Sequence, residues 1–325
     1  MIENNRAVKP QNKALLPSDI ERKRNRRTRR LSKLKRGIIT SIFVLLLAAA
    51  AVAILTPTVL TITNSFMSQS EIAANYGKIF SNVGSGDKSY IASKVNLKII
   101  PDKVSFRQYS TMLLTSPVYL LKFWNSMILT VPITLLQIVF ALGAAYFFAR
   151  FNSKLRNGIF FMYIILMLMP YQVTLVPNYL VANWLSLLDT RWSIILPGIF
   201  APFSVFILTK FMRRIPSTII EAAKLDGASE WQIFTKVCIP QCTSAVWSVA
   251  ILVFIDYWNM VEQPLIMLKN ADLHPLSVFL SKINEQDPGL AFAVAVIYMI
   301  PTLLIFFYGE DYLIEGIAYS GALKG

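Results

Sequence analysis

The chain has 325 residues, of which 55% are hydrophobic and only 15% charged. A soluble domain carries about 25% charged residues, so an ordinary water-soluble globule is excluded as a frame for this sequence. The net charge of +14 hints at nucleic acid, but thirteen of the basic residues fall between Arg6 and Arg36 with no stacking aromatics among them.

Taken in chain order, residues 1–37 read as a basic tail that anchors the edge of a membrane near anionic lipids. Residues 38–66 form the first apolar run. A cleavable leader is the rival reading there. The apolar character continues past the small residues through Ile54, Leu55, Val59 and Leu60, which favours an uncleaved helix. Residues 67–118 are the longest polar stretch. They hold a turn-like run at Gly84, Gly86 and Asp87, alternation around Val95, Leu97 and Ile99, and an interfacial helix expected at 106–114.

A helix needs about 20 apolar residues to cross the hydrocarbon core. Five more stretches approach that length, at 124–149, 158–180, 192–211, 244–268 and 290–308, within a core expected over 119–309. Residues 310–325 form the closing tail. The expected fold class is an all-α polytopic membrane protein with six transmembrane helices. With the N-terminus inside, 22 of the 32 Lys and Arg fall on the cytoplasmic side, in the tail and the short loops. That bias puts both termini in the cytoplasm.

Between the fourth and fifth runs, residues 213–240 read as helix, turn, helix. Pro216 suits a helix start. Gly227 can take a positive φ and end the first helix, and Ser229 with Gln232 can form a capping box for the second. Pro240 is expected to stop that helix. The spacing of Glu221, Ala222, Ala223, Asp226, Gly227, Ala228, Phe234 and Pro240 resembles the EAA loop of ABC-importer permeases. Further stretches are similar to the maltose-type carbohydrate branch: Asn125-Ser126, Ala149-Arg150-Phe151, Met169-Pro170-Tyr171-Gln172-Val173, Leu196-Pro197-Gly198, Trp258-Asn259, Pro264-Leu265 and the terminal Gly321-Ala322-Leu323-Lys324-Gly325. The resemblance spans about residues 38–325. It departs at 67–118 and at Met260-Val261-Glu262-Gln263, where the family pattern is more apolar.

The resemblance implies a type I importer permease in a bacterial-type plasma membrane. The expected partners are two cytoplasmic ATP-binding subunits, a second homologous permease and an extracytoplasmic solute-binding protein. Glu221 and Gly227 are the foremost coupling positions, with Glu221 meeting a basic group on the ATPase. Asp226 either caps the second helix or pairs with that partner. The substrate expectation is a sugar or oligosaccharide, with a peptide or polyamine permease as alternative. An ion-coupled secondary transporter fits less well, because no internal repeat is evident.

The sequence has no Gly-x-x-x-x-Gly-Lys-Ser/Thr loop; Gly77-Lys78 lacks the upstream glycine and the hydroxyl. ATP and Mg are therefore expected on the partner ATPase, with no cofactor in this chain and no catalytic constellation. One histidine, His274, and two cysteines, Cys238 and Cys242, offer no metal set.

Polar groups inside a membrane are costly and tend to be functional. The candidates are Asn125, Gln137, Gln172, Asn178, Asp256, Asn259, Glu262 and Gln263. A sugar needs hydrogen bonds for its hydroxyls and an aromatic face for its apolar side. Asp256, Asn259 and Gln263 would share one helix face at i, i+3 and i+7, with Trp258 available for stacking. The competing reading is that these groups bond helix to helix. Prolines at 132, 170, 177, 197, 202 and 301 fit helices broken around a wet pathway.

Overall fold

A computed structural model of the chain describes residues 17–72, 74–75, 98–151, 153–283 and 288–321. Gly84, Gly86, Asp87, Val95 and Leu97 lie outside the described residues, as do Ala322, Leu323, Lys324 and Gly325. The chain divides into two units, Met1–Val59 and Leu60–Gly325. Helix α1 (Pro17–Asn64), most of which lies in the first unit, exposes Ile39, Phe43, Val44, Leu45 and Leu46 around its whole circumference. An all-round apolar helix of this kind is solvated by lipid rather than water.

The second unit is helical throughout its described part, with one isolated bridge pairing Met67 with Val104. In order come α2 (Arg107–Ser110) with a π-helical continuation Thr111–Thr115, α3 (Pro117–Arg150), α4 (Lys154–Met167), α5 (Tyr171–Trp184), α6 (Trp192–Ile199) and α7 (Pro202–Met212). Then follow α8 (Ser217–Leu225), α9 (Glu230–Gln241), α10 (Thr243–Trp258), α11 (Glu262–Met267), α12 (Leu276–Ile283) and α13 (Pro288–Gly321).

Among the described residues, four helices are long and apolar enough to cross a membrane: Lys35–Asn64, Pro117–Arg150, Trp192–Met212 and Gly289–Ile314. Two bent pairs raise the number to six if each is one span: α4 with α5 at 106°, and α9 with α10 at 74°. The third apolar run is therefore not the continuous helix that the sequence suggests, and the fifth, 244–268, is split between α10 and α11. In the third, Pro170 has no N–H and disfavours helix at Met169, so α4 stops at Met167 and α5 restarts at Tyr171.

In the fifth, α10 ends at Trp258. The Asn259 side chain donates to the Ile255 carbonyl at 2.8 Å and so competes with the helical ladder. Pro264 has no N–H to bond back to Met260, whose carbonyl accepts instead from the Ser277 hydroxyl at 2.5 Å. Asp256, Asn259 and Gln263 thus do not sit on one helix; they straddle a break.

Helix α3 is the central post, packed against α6, α7 and α10, and α10 in turn packs on α13. Gly198 permits a close approach between α6, α3 and α10. A Cβ there would lie 2.9 Å from Ile133 Cγ2 on α3 and 3.1 Å from the Tyr257 hydroxyl on α10. Two of the polar candidates prove to be glue between elements. Buried Asn125 donates to the Asp272 carbonyl at 2.5 Å and accepts from Arg191 at 2.9 Å. Buried Gln137 donates to the Ser204 hydroxyl at 2.5 Å.

The ends of α3 and α7 exchange arginines. Arg150 donates to the Met212 carbonyl at 3.2 Å, and Arg213 donates to the Phe148 carbonyl at 3.1 Å. Each guanidinium faces the negative end of the other helix.

Candidate functional site

Two regions gather the residues that the sequence singles out, and α10 joins them. The first is the loop of α8 and α9. Pro216 precedes α8, whose last turn closes on Gly227 with φ +80°. The Gly227 N–H reaches the Lys224 carbonyl at 3.1 Å and the Ala228 N–H reaches the Ala223 carbonyl at 3.0 Å. This pair of bonds is a Schellman closure, which satisfies carbonyls that a helix end leaves free. The turn then feeds a capping box: the Gln232 N–H donates to the Ser229 hydroxyl, and the Ser229 N–H donates to the Gln232 side chain at 2.8 Å.

Asp226 is exposed at the end of α8 and caps nothing; Ser229 caps α9. Pro240 does not stop α9 either. The helix runs π-helical over Ile233–Cys238, passes through Pro240 and breaks at Cys242. The π-helical register has already redirected the hydrogen bonds that a proline would interrupt.

One face of the loop is anchored and the other is free. Ile220 and Ile233 are buried in the core cluster, with Ala223, Ala228 and Phe234 packed against it. The Phe234 ring lies 5.1 Å from Tyr146 of α3. Glu230 accepts from the Tyr146 hydroxyl at 2.5 Å and pairs with Lys224 at 2.7 Å. The Lys224 ammonium, and after it the Tyr146 hydroxyl, hold the Glu230 carboxyl below its usual range.

Glu221 and Ala222 face solvent. So do two apolar side chains that the sequence reading passed over, Leu225 at 89% and Trp231 at 70% exposure. Their signal was large apolar residues on either side of a polar turn. Beneath the loop, Cys238 and Cys242 are buried, and burial pushes the Cys238 thiol up.

The second region lies at the far end of α10, roughly 20 Å along the helix from Thr243. There the break at residues 168–170 meets the break at 259–261 around a polar cavity of about 430 Å³. Tyr171 and Gln172 come from the start of α5. Asp256, Tyr257 and Asn259 come from the end of α10, and Glu262 and Gln263 from α11. The Gln172 amide lies 3.5 Å from the Glu262 carboxylate.

Asp256, Asn259 and Gln263 are brought together as the sequence proposed, by a different route. Trp258 is not with them. It is fully buried, stacked on Tyr298 at 5.4 Å and Phe254 at 5.5 Å, and its indole N–H donates to the Tyr298 carbonyl at 3.0 Å. The stacking role assigned to Trp258 is thereby corrected: Tyr171 and Tyr257 are the aromatics at this cavity. Asn178 is half-buried on α5, away from the lining.

A second polar cavity, of about 600 Å³, is lined by Ser68, Gln69, Ser105, Arg107 and Gln108 beside the start of α13. Among the described residues, no three His, Cys, Asp or Glu side chains gather as metal ligands.

Comparison with known proteins places this geometry. Residues 137–317 match the family described as binding-protein-dependent transport system inner membrane component. The chain is 29% identical over 236 residues to the arabinooligosaccharides transport system permease protein AraQ of Bacillus subtilis (strain 168), covering 71% of this chain and 83% of that one. It is 29% identical over 203 residues to the lactose transport system permease protein LacG of Rhizobium radiobacter, covering 62% and 74%. Its fold matches a chain of the crystal structure of a bacterial ABC transporter involved in the import of the acidic polysaccharide alginate. The TM-score is 0.69 at 21% identity, over 86% of this chain and 97% of that one. With the family matched across more than half its length, the chain belongs to the binding-protein-dependent transport system inner membrane components, as a membrane-spanning permease subunit.

Proposed function

We propose that this permease carries a saccharide across the membrane, with the cavity of Asp256, Asn259 and Gln263 on the pathway. The α8–α9 loop receives force from a separate ATPase. The observation that carries the reading is the meeting of two helix breaks around a cavity of amides, carboxylates and phenols. Interrupted helices are tolerated at membrane depth where the freed backbone faces protein or a wet cavity. Relatives named for oligosaccharide and lactose transport support a sugar as the solute.

On the loop, Glu221, Asp226 and Gly227 turn toward solvent with Leu225 and Trp231. A ring of polar groups around exposed apolar side chains suits docking into a groove on an ATP-binding subunit. Two such subunits, a second permease and an extracytoplasmic solute-binding protein would complete the importer. Both termini would then be cytoplasmic, as the distribution of Lys and Arg indicates.

Reconstitution of the whole importer tests this. Glu221→Lys and Gly227→Pro should leave membrane insertion intact, while ATP hydrolysis no longer drives uptake. Wild-type uptake in both variants would remove the docking role of this loop.

A further inference from the structure

The cavity at the end of α10 has a charge imbalance. Its lining holds two carboxylates, Asp256 and Glu262, and no lysine, arginine or histidine. Neither carboxylate enters an ion pair among the described residues. The N-terminus of α5, where Tyr171 and Gln172 join the lining, contributes roughly half a positive charge.

A second observation is independent of that charge. Gln263 lines the same cavity at only 6% exposure. Among the described residues its side-chain amide makes no hydrogen bond, and neither amide atom is one of the enclosed atoms left unpaired, so both open onto the cavity. The neighbouring amides are engaged: Asn259 with Ile255 and Tyr298, and Gln172 with Glu262. Gln263 thus presents a donor and an acceptor to whatever fills the space.

We propose that this cavity selects its solute by charge, accepting a saccharide that carries a protonated amine and rejecting one that carries a carboxylate. Asp256 and Glu262 face the ammonium group, and Gln263 bonds an adjacent hydroxyl. The inference rests on the pathway reading above and narrows it. It also separates this chain from the importer whose fold it shares, which handles an acidic polysaccharide. A carboxylated sugar brought between Asp256 and Glu262 would meet like charge with no lysine, arginine or histidine in the lining to offset it.

The test uses the assembled importer carrying Met260→Cys, a position on the cavity lining. The native thiols of Cys238 and Cys242 are buried and contribute little background. The probes are a cationic trimethylammonium-ethyl and an anionic sulfonatoethyl methanethiosulfonate, each referred to its rate with a free thiol in solution. Focused charge in a cleft changes such rates by about 10-fold or more. The expected result is a cation-to-anion ratio of about 10 or above, falling toward unity with Asp256→Asn and Glu262→Gln.

The two substitutions are read singly as well as together, so loss of the double variant leaves the measurement intact. A ratio near unity in the parent would mean that a partner subunit's basic side chains neutralise the carboxylates, and it overturns the proposal. So does a ratio that neither substitution moves. Uptake of the glucosamine disaccharide over the galacturonate disaccharide supports both this inference and the carbohydrate reading. An importer that keeps the reagent ratio but takes up spermidine, and neither disaccharide, supports the cation-selective cavity and defeats the carbohydrate reading.

Discussion

The Tyr146 hydroxyl on α3 donates to the Glu230 carboxylate on α9 at 2.5 Å, across 84 positions of sequence. Glu230 also pairs with Lys224 on α8 at 2.7 Å, so one carboxylate ties both helices of the α8–α9 loop to the central post of the bundle. The loop is thus held to α3 by a defined contact as well as by the packing of Phe234 on Tyr146.

Tyr146→Phe removes the hydroxyl and keeps the ring against Phe234. A hydrogen bond to a charged group contributes about 1.5–3 kcal/mol, less where the carboxylate is half exposed, so about 1 kcal/mol is expected here. A double-mutant cycle with Glu230→Ala, read by thermal unfolding of the complex, should return a coupling of that order. Additive single effects would show that the contact does not tie the loop down.

The same carboxylate sets a pH limit. Its pKa is lowered in the folded chain, so its contribution is present above the ordinary glutamate value of 4.5 and is lost as pH falls through the lower folded value. Protection of the Gln232 and Ile233 amides from hydrogen exchange should be steady at neutral pH and weaken on acidification in that range. Glu230→Gln should flatten the dependence.

Gly227→Ala isolates backbone strain. A Cβ at this position meets nothing within 4 Å, so the cost comes from φ +80° alone. A left-handed non-glycine residue costs about 1–2 kcal/mol. The substitution should lower loop stability by that amount. Gly227→Asn, which tolerates the left-handed region better, should recover part of it.

Asn125 and Asn259 should separate packing from passage. Asn125→Leu strands the Asp272 and His274 carbonyls and Arg191, at about 1–3 kcal/mol for each buried group left unpaired. The amount of assembled complex should fall. Asn259→Ala should instead leave abundance normal and change the apparent affinity of uptake. Loss of abundance with unchanged affinity in the surviving complex would return Asn259 to a packing role.

Trp258→Ala is expected to act on the fold. Truncating a fully buried, stacked tryptophan costs about 3–5 kcal/mol. Complex abundance should drop steeply, with solute preference in the remainder unchanged.

The helix–turn–helix form of the α8–α9 loop was legible in the sequence because its signals are local. Gly227 needs only its own φ, and Ser229 with Gln232 needs only three residues of spacing. Pro240 misled because its effect depends on the hydrogen-bond register ahead of it, which is π-helical. The cavity was half legible. Polar residues in an apolar run flagged Asp256, Asn259 and Gln263, but the break that turns Gln263 inward depends on Ser277 reaching the Met260 carbonyl from a distant segment. The burial of Trp258 depends on Tyr298 in the same way. Periodicity along one helix cannot carry such contacts. Asn125 looked like Asn259 from composition alone; only their partners tell them apart.

The reciprocal arginines at the ends of α3 and α7 confine how the bundle can deform. Two rods pinned to each other at one end cannot shear along their length without breaking both pins. Splaying at the opposite end costs neither bond. The crossed guanidiniums therefore act as a fulcrum, which favours pivoting over piston-like travel. They also make the two positions a matched pair: a lysine at either would keep the charge but lose the flat fork that lets Arg213 lie 4.7 Å over the Phe160 ring while holding the Phe148 carbonyl.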